Sequence, residues 1–139
     1  MQEEGIGVIL LADSTPQQSK FTLQAIPAQH EPILSELLPL NTVFLVNERV
    51  LNPGDSFNQS LFAFKGIELL ILPIMSPWLT KPAVADFART MRPRQVLAAH
   101  GGYAKDFFLQ YHYATYRPYF EQFDIQFHRM AKLGAYVEL

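Results

Sequence analysis

From Ile67 to Ile74 the chain reads IELLILPI, apolar at every position except Glu68. A run this short cannot span a bilayer. A run this uniformly apolar suits a strand covered on both faces, so it calls for material above and below a sheet. The next two segments of the chain support the same picture. Lys81 to Met91 carries Val84, Phe87, Ala88 and Met91 at helical spacing, with Pro82 in the first turn and Pro93 just beyond the end. Gln95 to Ala99 (QVLAA) is then a short apolar strand that delivers His100. Strand, helix, strand in that order predicts an α+β or α/β layered fold, with a mixed sheet flanked by helices.

The rest of the chain fits this frame. Gly7 to Ala12 (GVILLA) reads as a strand, closed by the turn residues Asp13 to Pro16. Lys20 to Ile26 alternates apolar and polar residues, the period of a half-buried strand, and Pro27 stops it. Pro32 to Leu38 is expected to form one or two helical turns. Asn41 to Val46 is a strand, and Asn47-Glu48 is a hairpin turn into Arg49–Leu51. Ala104 to Tyr116 predicts a helix that Pro118 ends or kinks. Ile125–Arg129 and Ala135–Leu139 are weaker strand candidates. The helix from Ala104 onward is dense in aromatics, read as a packing face with tyrosine hydroxyls at its wet edge. The alternative is a substrate-lining or interface role.

Composition narrows the function classes. The 139 residues match one domain spanning residues 1–139, and 49% apolar against 17% charged residues excludes disorder as the main state. A net charge of -2 gives no reason to expect nucleic acid or an anionic membrane as partner. The acidic start, Met1-Gln2-Glu3-Glu4, is unlike a basic signal peptide. The absence of cysteine excludes disulfides, cysteine-held metals and thiol catalysis, and sits comfortably with the cytoplasm.

Three polar residues share one kind of position. His30, Asp55 and His100 each stand in a loop just past a predicted strand, where layered folds build open sites. Two imidazoles and a carboxylate are suitable ligands for zinc, iron or manganese. Gly54 lets the backbone turn sharply before Asp55. Each residue also has a plainer reading: Asp55 in Pro-Gly-Asp-Ser is a good turn or cap residue, and a lone histidine often serves a turn. His112 and His128 read as structural or exposed.

In chain order the segments Pro27-Ala28-Gln29-His30, Pro53-Gly54-Asp55-Ser56, Leu70–Ile74 with Pro77-Trp78, and Arg92-Pro93-Arg94 through His100 form a set. This set resembles the C-terminal half of the metallo-β-lactamase-fold hydrolases. It comes closest to the branch of metal-dependent hydrolases that includes the ascorbate-phosphate lactonase type. The resemblance covers roughly residues 20 to 103. It implies half of a four-layer αββα sandwich. It also implies a two-metal site, zinc or another divalent ion, with His30 on one metal, His100 on the other and Asp55 bridging both as the catalytic carboxylate.

The family's His-x-His-x-Asp-His segment is not found in this sequence. The resemblance therefore implies a chain that carries only part of a dinuclear hydrolase site and is inactive alone. A non-catalytic binding or assembly module with a vestigial site is the alternative. With the other sheet absent, an apolar face including Val8–Leu11 and Leu69–Leu72 would be open. The expected partner is thus a second copy (a dimer) or a separate N-terminal-half polypeptide, together with a small-molecule substrate.

Overall fold

The computed structural model describes residues 17–18, 21–130 and 132–139. Its centre is a seven-stranded sheet in sequence order. The strands are β1 (Gln17–Gln18), β2 (Thr22–Gln29), β3 (Leu40–Val46), β4 (Val50–Asn52), β5 (Leu69–Pro73), β6 (Gln95–Ala99) and β7 (Gln126–His128). From β1 to β4 neighbours run antiparallel, and from β4 to β7 they run parallel. The parallel part needs crossovers, and helices α1 (Lys81–Met91) and α2 (Asp106–Glu121) supply two of them. The fold is α+β with a mixed sheet and flanking helices, as the sequence predicts.

Register explains why the helices cover one face. Leu45, Leu51, Leu70, Val96 and Phe127 pair in a single row across five strands. All five are buried, and they share one core with Val84, Phe87, Ala88 and Met91 of α1 and with Tyr116 and Phe120 of α2. Because side chains alternate along a strand, the neighbouring positions Val46, Val50, Ile71 and Leu97 point the other way. They are only half-buried and lie outside that core. Leu69 on the same side is buried.

Local signals place most boundaries. The β3–β4 hairpin has positive φ at both Asn47 (51°) and Glu48 (56°), and the Arg49 N–H donates to the Val46 carbonyl at 3.0 Å. This is the primed turn that matches strand twist. Helix α1 begins at Thr80, whose hydroxyl accepts the Ala83 N–H at 3.3 Å, and ends at Arg92 in the left-handed region. Its bounds are those expected from the proline and apolar spacing.

Several expectations are corrected. Residues 32–38 form bends without a helix. Ser35 Oγ accepts the Leu37 N–H at 3.3 Å, a local bond that competes with a helical turn. Leu34, Leu37 and Leu40 are fully or nearly fully exposed. Helix α2 continues past Pro118 to Glu121, because Tyr116 and Phe120, one turn apart, are both buried and their rings stack at 5.8 Å. That burial outweighs the hydrogen bond the proline removes.

The aromatic face is partly as expected. Tyr116, however, turns its hydroxyl inward, donating to the Ile74 carbonyl at 3.2 Å, and burial pushes its phenol pKa well up. Phe107, Phe108 and Tyr111 are exposed, and His112 is buried against the rings of Phe108 and Tyr116. Residues 135–139 form no strand. The chain also forms a 3-10 helix at Gln59–Phe64, which its sequence does not announce, capped by Asn58 Oδ1 on the Ser60 N–H at 2.9 Å. The expected strand at residues 7–12 and the turn after it lie outside the described residues, as does the start of the one at residues 20–26. Pro27 does not stop that strand: β2 runs through it to Gln29, because β1 pairs only with Thr22 and Leu23 and a proline is tolerated where a strand has no second neighbour among the described residues. No helix among the described residues is long and apolar enough to cross a membrane.

Candidate functional site

The topology brings the three sequence candidates to one edge of the sheet. Strand β2 is antiparallel to β3, and β3 to β4, so β2, β4, β5 and β6 all run the same way. His30 follows β2, Asp55 lies just past β4, and His100 directly follows β6. All three therefore stand beyond carboxyl ends of strands, where open sheets build their crevices.

The loop carrying Asp55 is held on three sides. Asn52 Oδ1 accepts the Gly54 N–H at 3.1 Å, closing a tight side-chain turn. Asn41, at the start of β3, accepts the Asp55 N–H at 2.9 Å and donates through Nδ2 to the Pro53 carbonyl at 3.1 Å. Gly54 has φ +58°, and a Cβ there would push the Asn41 side chain out of the place where it holds the loop. Here glycine is required both by its dihedral and by space. The third hold comes from the His30 side. The Glu31 N–H donates to the Asp55 carbonyl at 2.8 Å, and Glu31 Oε1 accepts the Phe57 N–H at 2.8 Å.

His100 is held differently. Its backbone sits at φ +64°, an uncommon conformation for any residue with a side chain. The preceding Ala99 carbonyl accepts the Ile74 N–H at 3.2 Å, and Tyr103 donates to the Met75 carbonyl at 2.8 Å. These bonds couple the loop after β6 to the one after β5, and Ser76 Oγ lies 3.4 Å from His100 Nδ1.

Within this frame the Asp55 carboxylate lies between two imidazoles, one oxygen toward each. Oδ2 is 3.6 Å from His30 Nε2, and Oδ1 is 3.4 Å from His100 Nδ1. Neither contact meets hydrogen-bond geometry, and Oδ1 is buried with no hydrogen-bond partner. The His30 tautomer adds to the mismatch. Its Nδ1 lies 2.6 Å from the Glu31 carbonyl, which can only accept, so Nδ1 carries the proton. A neutral His30 then turns the lone pair of Nε2 toward a carboxylate oxygen. Two lone-pair bearers facing each other call for a cation between them, a proton or a metal.

The donor types and spacing suit a divalent ion. Ligand bonds of about 2.0–2.1 Å in tetrahedral geometry put neighbouring donors about 3.3 Å apart. The two pairs here stand at 3.6 and 3.4 Å. The donor number is lower than a closed site needs. Among the described residues no group of three or more His, Cys, Asp or Glu side chains is placed to hold one ion. Each ion would draw one imidazole and one Asp55 oxygen from these residues, where a catalytic zinc keeps three protein ligands.

An apolar cleft of about 560 Å³ adjoins this edge, lined by Pro32, Ile33, Leu34, Pro77 and Trp78. The Trp78 ring, which lines the cleft, stands 5.0 Å from the His30 ring. His112 and His128, read from the sequence as structural, take no part. Burial lowers the pKa of each, and His128 bonds Gln95 at 2.7 Å. Sequence reasoning missed Asn41, Glu31 and Ser76. Glu31, adjacent to a candidate ligand, offered a signal. Asn41 offered none, since only the β3–β4 pairing carries it to Asp55.

No protein-family profile and no curated protein sequence matches the chain. Among solved structures it is similar to a candidate metal-dependent hydrolase from Parabacteroides distasonis. The TM-score is 0.57 at 17% identity, over 84% of this chain and 55% of that one. It is also similar to a metallo hydrolase from the hyperthermophilic archaeon Ignicoccus hospitalis, with a TM-score of 0.48 at 17% identity, over 91% of this chain and 57% of that one. The chain thus spans a little over half the length of each. The first likeness is one of fold: the mixed sheet and its helices match part of a larger protein.

Proposed function

We propose that this chain forms part of a metal-dependent hydrolase. In this reading His30 and Asp55 hold one divalent ion, zinc being the first candidate, and Asp55 and His100 hold a second. The observation that carries it is the Asp55 carboxylate set between two imidazoles with one buried oxygen unpartnered. Divalent ions held there would acidify water and polarise a scissile bond. The protein's own share is positional. Asn41, Asn52 and Glu31 fix the carboxylate, the Glu31 carbonyl sets the His30 tautomer, and the Trp78 ring flanks that of His30. The apolar cleft beside Trp78 suits a substrate whose non-reacting part is apolar.

Cobalt(II) titration of the purified chain tests the site, because the visible spectrum reports the ligand set directly. Weak but saturable binding is expected. His30→Ala and His100→Ala should each remove about half of it, and Asp55→Ala all of it, since two ligands per ion give little affinity once one is lost. A wild-type chain that takes up no cobalt or zinc even with metal in large excess overturns the reading. So does uptake that Asp55→Ala leaves unchanged.

The remaining ligands would come from outside the described residues, and the sheet offers a place for their carrier. The face bearing Val46, Val50, Ile71 and Leu97 is half-buried and apolar, while α1 and α2 pack on the other face. A second sheet laid on that face, from a further polypeptide or a second copy, would bury it. The same observation supports the other reading, a binding or assembly module that associates through this face without catalysis. Light scattering on a sizing column distinguishes a second copy from another partner. A dimer is expected if the chain pairs with itself, and a monomer near 15.9 kDa at high concentration excludes self-association.

A further inference from the structure

A large cleft among the described residues lies at the opposite end of the sheet from His30, Asp55 and His100. It has a volume of about 1110 Å³ and opens where the chain enters β5, β6 and β7. Its lining includes Lys65, Arg89, Arg92 and Arg94, four of the eleven basic residues in a chain whose net charge is -2. Asp124 is the one carboxylate in the lining. The near-neutral total thus hides a local concentration of positive charge.

The four cations are not equivalent. Arg89 pairs with Asp86 at 2.9 Å on its own helix, and Lys65 lies over the Phe62 ring at 4.9 Å. Arg92 and Arg94 are exposed and make no ion pair among the described residues, the nearby Glu68 being taken by Arg49 at 2.5 and 3.0 Å. A helix C-terminus favours basic residues, which accounts for Arg89 in the last turn of α1. It does not account for the conformation of Arg92. That residue ends α1 at φ +49°, the left-handed position where glycine is ordinarily chosen, and Pro93 follows it. Glycine would be less strained at this position.

The cleft also holds a flat apolar surface. Phe123 lines it and is 42% exposed, with its ring braced by Tyr119 at 5.3 Å. Unpaired guanidinium forks select phosphate oxygens, and an exposed aromatic ring offers a stacking platform for a nucleobase. Both occur in one cleft of a size suited to a small ligand. We propose that this cleft binds a nucleoside polyphosphate, with Arg92 and Arg94 on the phosphates and Phe123 under the base. The site is separate from the metal-binding reading and stands or falls without it.

Calorimetric titration of the full chain with ATP, tripolyphosphate and adenosine tests this, with EDTA present so that no nucleotide is held through a metal at Asp55. Saturable ATP binding is expected, with tripolyphosphate weaker by about tenfold, the scale of one base stacked on an aromatic ring. Arg92→Glu combined with Arg94→Glu should weaken ATP by at least about tenfold, the loss of charge-assisted phosphate contacts. Phe123→Ala should bring ATP and tripolyphosphate to similar affinity. Arg92→Gly gives a check that misfolding cannot explain: it should raise the melting temperature while weakening ATP. No saturable ATP binding, equal ATP and tripolyphosphate affinity in the wild type, or unchanged ATP affinity in the arginine variants overturns the proposal.

Discussion

Asp55→Asn is expected to abolish metal binding and, at the same time, to stabilise the metal-free protein. The carboxylate carries a buried oxygen with no hydrogen bond and faces a ring nitrogen on each side, with the His30 nitrogen offering a lone pair. An amide in the same place removes the charge and supplies an N–H donor to one of those nitrogens. Replacing a charge that faces the His30 lone pair by a neutral amide donor to it is worth about 1–3 kcal/mol. Loss of the carboxylate proposed to serve both ions should lower cobalt affinity by more than about a hundredfold, beyond the usual effect of disturbing a supporting residue. Urea unfolding in EDTA and cobalt spectra on the same samples provide the two readings. A variant that is less stable and still binds cobalt like the wild type would show that Asp55 is a turn residue and nothing more. Opposite signs for stability and binding are what a site held ready for a cation should give.

Phe120→Ala should be among the most damaging core substitutions. Phe120 is completely buried in α2, stacked on Tyr116 at 5.8 Å and on Phe127 of β7 at 5.7 Å. Its main-chain carbonyl also accepts the N–H groups of Phe123 and Ile125. Removing such a ring costs about 3–5 kcal/mol, a large fraction of the 5–15 kcal/mol that holds an ordinary domain together. Tyr116→Phe keeps the packing and loses the bond to the Ile74 carbonyl, so a cost of about 1 kcal/mol is expected. Denaturant midpoints for the two variants check both values. A Phe120→Ala cost below about 1 kcal/mol would mean that α2 is not docked on β7 as described.

Much of the fold was legible because its signals are local. The apolar spacing and Pro82 of α1, the Asn47-Glu48 turn and the apolar runs of β3, β5 and β6 each declare themselves within a few residues. Legibility failed where a local signal competed with something distant or with a side-chain bond. Pro118 marks a helix end by sequence, yet burial of Tyr116 and Phe120 carries α2 past it. Residues 32–38 have helical composition, yet Ser35 takes a backbone donor and the leucines stay exposed. The last strand candidate, at residues 135–139, has apolar residues but no ladder neighbour.

The candidate site divides in the same way. The amino-acid sequence by itself determined that His30, Asp55 and His100 stand just past strands, because each follows an apolar run, although it stopped the first run at Pro27 and pairing with β3 carries β2 on to Gln29. It also determined that any metal here is held by imidazole and carboxylate, since the chain has no cysteine. Only the tertiary structure decided that these three residues meet, because 25 and 45 residues of chain separate them and strand pairing alone brings those ends together. It decided too that each Asp55 oxygen faces a different histidine, that Asn41 reaches across the hairpin to hold the loop, and that Phe123 shares a cleft with Lys65 and with Arg92 and Arg94 at the other end. Those are relations between distant positions, and periodicity along a chain carries no record of them.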